Sequence, residues 1–253
     1  MTVPSTYRPL RGRAQPVIAL LAATILFSCI SMLYEVDLQT LLDRIAAGRP
    51  VGSADLQTAD DRAALISGLS LAALVCTGIA FIAWFSRAYQ NIERLGARDL
   101  RVTHGWAIGS WFVPILSLFR PKQIMNDIWR ASDPALPAGE VRGWQHAAVP
   151  GLLHAWWAVF LISSPVSYLA GLMVRDSETV AARQSAGTIA MLADCVEIVT
   201  AVLAVLVVLA VTSRQERRAA LVSGGGWPPD VAPVGAAALG LDPSAGAPPP
   251  TAA

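Results

Sequence analysis

Asp194 and Glu197 stand three residues apart in an otherwise uncharged apolar run, and no other pair in the chain is better placed to do chemistry. At helical spacing they share one face with Ala190, Ala201 and Ala204, a small-residue face suited to the inside of a helix bundle. A carboxylate at the centre of a bilayer costs roughly 2.5–3.5 kcal/mol on insertion scales, so such a group is paired, protonated or beside water. Proton or cation handling is the chemistry open to it, and a structural ion pair is the alternative. His154, in the preceding apolar run, is the candidate partner. Counting about 1.5 Å per residue from the ends of the two runs, across a core of about 30 Å, leaves it about 6 Å from the level of Glu197.

Elsewhere the chemical inventory is thin. His104 and His146 carry no metal-ligand spacing, and Cys29, Cys76 and Cys195 each stand alone in apolar sequence, so no disulfide framework, metal centre or cofactor is expected. H-E-x-x-H, G-x-S-x-G, a Walker loop and a glycine-rich dinucleotide fingerprint are all missing, which favours a non-enzymatic protein. A net charge of +1 with scattered basic residues offers no stripe for a nucleic-acid backbone.

The elements that must position these groups are membrane helices. Of 253 residues, 54% are hydrophobic and 15% charged, with mean hydropathy +0.50; the bilayer is the solvent such a composition fits. Residues 17–33, 64–85, 148–174 and 187–212 are long enough to cross the hydrocarbon as helices. Residues 104–119 are apolar too, but Gly105, Gly109 and Pro114 break the run, predicting a re-entrant or interfacial segment. The expected fold is an all-α polytopic bundle, with four transmembrane helices plus that Pro/Gly-broken segment.

Counting Lys and Arg decides the topology. If 104–119 crosses, the two sides hold nine and ten; if it does not, they hold fourteen and five. The positive-inside rule selects the second arrangement, in the cell membrane with both termini cytoplasmic. Residues 1–16 are then a basic cytoplasmic N-terminus, 17–212 the membrane domain, and 213–253 a disordered cytoplasmic tail rich in Pro, Gly and Ala. In the external loop 35–62, Leu38, Leu41, Leu42 and Ile45 predict a short amphipathic helix stopped by Gly48 and Pro50, and Thr58 with Asp61 predicts the cap of the second span's helix.

Inside, Pro121 suits the first turn of an interfacial helix over 121–132, with Ile124, Met125, Ile128 and Trp129 on one face. Trp84, Trp106, Trp111, Trp129 and Trp144 map near the same surface, as an aromatic belt would. Gly68, Ala72, Cys76 and Ala80 form a small-residue stripe on the second span, and Ser163, Ser167 and Gly171 another on the third, both suited to close helix packing.

Three stretches are more specific: Trp84-Phe85-Ser86-Arg87-Ala88-Tyr89-Gln90-Asn91; Gly105-Trp106-Ala107-Ile108-Gly109-Ser110-Trp111-Phe112-Val113-Pro114; and Pro121 with Asn126-Asp127-Ile128-Trp129-Arg130-Ala131-Ser132. Together they resemble a bacterial, actinomycete-type multi-pass membrane family known as domain of unknown function 4328, from about residue 64 to 212. The resemblance implies a membrane module and marks Arg87, Asn91, Gly105, Trp106, Gly109, Trp111, Pro114, Pro121, Trp129 and Arg130 as family-motif residues; it implies no activity or cofactor. The expected role is a membrane scaffold or interaction module whose Arg- and Trp-rich inner face meets anionic lipid or a protein partner. A small transporter or channel using Asp194, Glu197 and His154 is the alternative.

Overall fold

The structure is a computed structural model that describes residues 7–137 and 141–223. Residues 1–6 and 224–253, which include most of the expected disordered tail, lie outside the described residues. Within these bounds the chain is all helical, with α1 at Arg11–Ala46, α2 at Ser53–Arg94, α3 at Trp106–Gly109, α4 at Arg120–Ala131, α5 at Gly151–Arg175 and α6 at Val180–Val222. Single 3-10 turns lie at Leu116–Leu118 and Trp144–His146. Four of the helices, α1, α2, α5 and α6, are long and apolar enough to cross a membrane.

Three of these overrun their apolar runs. α1 continues without a break to Ala46 and absorbs the expected loop helix, and α2 begins at Ser53, before the expected cap. There the Gly52 N–H is bonded by the Asp55 carboxylate at 3.4 Å, whereas Thr58 sits inside the helix and donates back to the Ala54 carbonyl at 2.7 Å. α6 continues through 213–222, where a disordered tail is expected. The reason is tertiary: Arg214, Gln215 and Arg218 find acceptors that hydropathy does not register. A helix is present where one is expected at 121–132: α4, with Pro121 in its first turn and most of its residues buried.

Contacts divide the chain into two units, and the long helices contribute to both. Unit 1 holds residues up to 17, 80–153 and those from 206 onward; unit 2 holds 18–79 and 154–205. The fourteen basic residues that the charge count puts on one side all fall in unit 1, and the other five in unit 2.

The core of unit 1 is aromatic. Trp84, Phe85, Tyr89 and Trp144 are fully buried, and Trp129 nearly so. Trp84 donates to the Thr212 hydroxyl at 3.1 Å and Trp144 to the Arg98 carbonyl at 2.8 Å, while Trp111 packs edge-on against Phe81 and Phe85. Four of the five tryptophans expected as a lipid-facing belt therefore build an interior. Trp106, 40% exposed, is the one that points out.

α2 ends where Gly96 takes a positive φ of 96°. The N–H groups of Gly96 and Ala97 turn back onto the carbonyls of Glu93 and Ile92, closing the helix in a Schellman arrangement that a Cβ would strain. Beyond it, Ala97 bridges to Val141, so the chain before residue 104 is bonded to the chain after residue 119.

Residues 104–119 form no continuous helix. Their bonds are short turns, such as Trp106 to Thr103 and Trp111 to Ile108, interrupted around Pro114. Nothing lies within 4 Å of a Cβ built at Gly105, and at Gly109 only the edge of Trp106 does, so the break reflects helix weakness more than close packing.

In unit 2, Ala73, Ala170, Ala186, Ala193, Ala201 and Ala204 are the buried small residues of the helices. Both expected stripes face outward instead: Gly68, Ala72, Cys76 and Ala80 are at most half-buried, as are Ser163, Ser167 and Gly171, and no neighbour lies within 4 Å of a Cβ at Gly68 or Gly171. α5 stays helical across Pro165, where Ser163 donates to the Phe160 carbonyl at 2.9 Å.

Candidate functional site

In unit 2, α1 and α6 face each other through polar side chains. Ser28, Ser31, Glu35 and Gln39 recur at three- and four-residue steps and so share one face of α1. Glu197 meets Ser28 and Asp194 meets Ser31. Further along, Arg183 holds Glu35 with both terminal nitrogens, at 2.7 and 3.3 Å, in a fork that keeps Glu35 buried. Gln39 donates to the Gln184 carbonyl, and Gln184 to Asp43, each at 2.7–2.8 Å. This polar face closes over Gly187: a Cβ there would sit 2.5 Å from the Glu35 carboxylate and 2.6 Å from the Gln39 amide, and these side-chain ends would have to shift.

Asp194 and Glu197 thus come together on one face as the spacing implied, and Asp194 feels both Glu197 and Glu35. His154 does not join them. The buried face of α5 is carried by Leu153, Trp156 and Trp157, and His154, about 100° around the helix from Leu153, is exposed. The true neighbours are serines of α1, which an apolar run conceals. Among the described residues, no group of three His, Cys, Asp or Glu side chains could hold a metal ion.

The family-motif residues lie in unit 1. Asn91 is fully buried; its amide donates to the Arg8 carbonyl at 2.8 Å and to Gln215 at 3.2 Å, and its oxygen accepts from the Arg8 N–H. Arg130 donates to the Ala147 carbonyl at 2.7 Å. Arg214 lies 4.4 Å over the Trp129 ring and pairs with Asp133 at 2.8 Å. Arg218, buried with 1% of its surface exposed, donates to the carbonyls of Leu95, Asp133, Leu136 and Pro137.

Two further charges are buried in α4. Asp127 pairs with Arg101 at 3.2 Å, yet burial pushes its carboxyl up to about 6 against the pull of Arg101 and Arg130. Burial, and secondarily Arg130, lowers the Lys122 ammonium to about 8, where Asn126 accepts its hydrogen bond. These groups brace the unit.

A family model described as "Domain of unknown function (DUF4328)" matches residues 47–213, more than half of the chain. The chain belongs to that family. Both the motif residues of unit 1 and the α6 carboxylates fall inside the DUF4328 match, while Arg8, Arg13, Arg214 and Arg218 fall outside it. No curated protein and no solved structure matches the chain.

Proposed function

We propose that this DUF4328 protein is a multi-pass cell-membrane protein with both termini in the cytoplasm, acting as a non-enzymatic interaction module. Unit 1 faces the cytoplasm and meets anionic lipid, and residues 104–119 dip into the inner leaflet and return. One relationship carries this reading: the two flanks of the segment are bonded to each other, through the Ala97–Val141 bridge, the Trp144 bond to Arg98 and the Arg101–Asp127 pair. A segment whose ends meet in this way leaves on the side it entered. Its own side chains suit lipid, with Phe112 72% and Ile115 74% exposed beside Ile108 and Leu118. The gathering of fourteen basic residues in unit 1 supports the cytoplasmic orientation.

The test is cysteine accessibility in intact cells, in a background with the three native cysteines replaced by serine. Gln57→Cys should react with an impermeant maleimide added outside, whereas Thr103→Cys and Ala135→Cys should react only after permeabilisation. Labelling of Ala135→Cys together with Gln57→Cys, with Thr103→Cys protected, would show that 104–119 crosses, and labelling of both inner sites with Gln57→Cys protected would reverse the orientation.

A second reading, a small transporter, is favoured by one observation, the polar face of α1 against Asp194 and Glu197. Proton or cation flux in reconstituted vesicles that disappears with Asp194→Asn and Glu197→Gln would establish it over the first.

A further inference from the structure

α2 presents Arg87 and Arg94 just beyond its apolar run, seven residues apart and therefore on one face. The start of the chain brings two more arginines to that face. Asn91, between them in sequence, clasps both backbone groups of Arg8, and Arg13 donates at 2.7 Å to the Ala83 carbonyl, the acceptor one helical turn before Arg87. Arg94 in turn reaches the Asn91 oxygen at 3.4 Å. Four arginines are gathered over three turns of helix, near enough that Arg8 acts on both Arg87 and Arg94.

Among the described residues little neutralises them. Glu216 is taken by Arg11, and Glu93 is the carboxylate that acts on Arg94, offsetting part of the charge of one of the four. Arg87 Nε is buried with no hydrogen-bond partner. Arg13, Arg8 and Arg94 each act on the Arg87 guanidinium as like charges. Such repulsion is tolerated where an anion completes the group, and planar guanidinium forks match phosphate oxygens.

We infer that Arg8, Arg13, Arg87 and Arg94 form a binding site for a phosphate group. Two sources share that chemistry, the phosphodiester of a lipid headgroup and free phosphate. The position of Arg13 and Arg87 at the ends of apolar runs puts the site at headgroup level and favours the lipid. The lipid form of the inference rests on the reading that unit 1 faces anionic lipid, and the experiment separates the two.

The full chain in neutral detergent is melted with added phosphatidylglycerol, with phosphatidylcholine, and with inorganic phosphate against chloride at matched ionic strength. Wild type should gain about 3 °C from phosphatidylglycerol at ten times its Kd and nothing from phosphatidylcholine. Arg87→Gln should lose most of that gain, and Arg142→Gln, which removes an exposed charge elsewhere in the unit, should keep it. Should Arg87→Gln fail to fold, the double variant Arg8→Gln/Arg13→Gln changes exposed side chains and should lose the gain likewise. An equal gain in wild type and the cluster variants overturns the site while leaving the lipid-facing reading intact. A response to inorganic phosphate alone, abolished by Arg87→Gln, upholds the site and overturns the lipid as its ligand. No response to either probe overturns both.

Discussion

The Arg218 guanidinium donates to the Leu95 carbonyl at 2.9 Å, so α6, a turn before its end, holds the residue that follows α2. The same guanidinium takes the carbonyls of Asp133, Leu136 and Pro137 after α4. A buried charge that satisfies four carbonyls is expensive to remove, since each acceptor loses its donor without regaining water.

Arg218→Ala should therefore cost on the order of 3–5 kcal/mol, seen as a large fall in melting temperature by tryptophan fluorescence. Arg218→Lys keeps the charge but not the fork and should recover less than half. A melting temperature unchanged in Arg218→Ala would mean that the guanidinium is not holding the unit together.

At Gly187 the expected effect is steric. Gly187→Ala places a methyl 2.5 Å from the Glu35 carboxylate and 2.6 Å from the Gln39 amide, so these side-chain ends and the Arg183–Glu35 fork must shift, a loss of up to about 2 kcal/mol after the helix-propensity gain. Gly171→Ala, in open space on α5, should have the opposite sign, a gain of up to about 1 kcal/mol from helix propensity. Thermal melts of the pair in one detergent check both, and equal losses would count against the packing described.

Asp127 gives unit 1 a pH dependence whose sign is fixed by its burial. Its carboxyl titrates near 6 when folded and near 3.8 when free, so between those values the folded state binds more protons than the unfolded one. Stability from this group is therefore fully present below about pH 4 and lost as pH rises through 6, by on the order of 2–3 kcal/mol. The difference in melting temperature between Asp127→Asn and wild type, followed from pH 4.5 to 7.5, should move in favour of the variant. A difference that stays flat would mean that Arg101 compensates the buried charge completely.

The membrane-length helices were legible because hydropathy reports what avoids water. Their extensions were not, because Glu35, Gln39, Gln215 and Arg218 are polar residues whose partners lie 81 to 148 residues away in sequence. Such residues read locally as the end of a span. Thr58 and Asp61 mimic a cap, yet a helix already begun at Ser53 leaves them no N–H groups to cap. At the candidate site, the spacing of Asp194 and Glu197 was enough to put them on one face. Their partners were hidden because Ser28 and Ser31 look like filler in an apolar run, although the steps from Ser28 to Gln39 keep helical time. His154 fails as a partner on angle, since a depth argument places a residue along a helix but not around it.

Unit 1 draws on three stretches of chain, and its closing bonds join residues 123 to 128 positions apart. During synthesis Trp84 and Leu95 emerge long before Thr212 and Arg218, so all but the end of the membrane-length helices among the described residues is made before this unit can close. The nascent chain passes through a stage in which a tryptophan-rich surface and an unfinished helix end stand open. Ribosome stalling or nonsense truncation anywhere between Val180 and Arg218 should thus yield chains with all or most of their apolar helices but no closed unit 1, the form that quality-control proteases recognise.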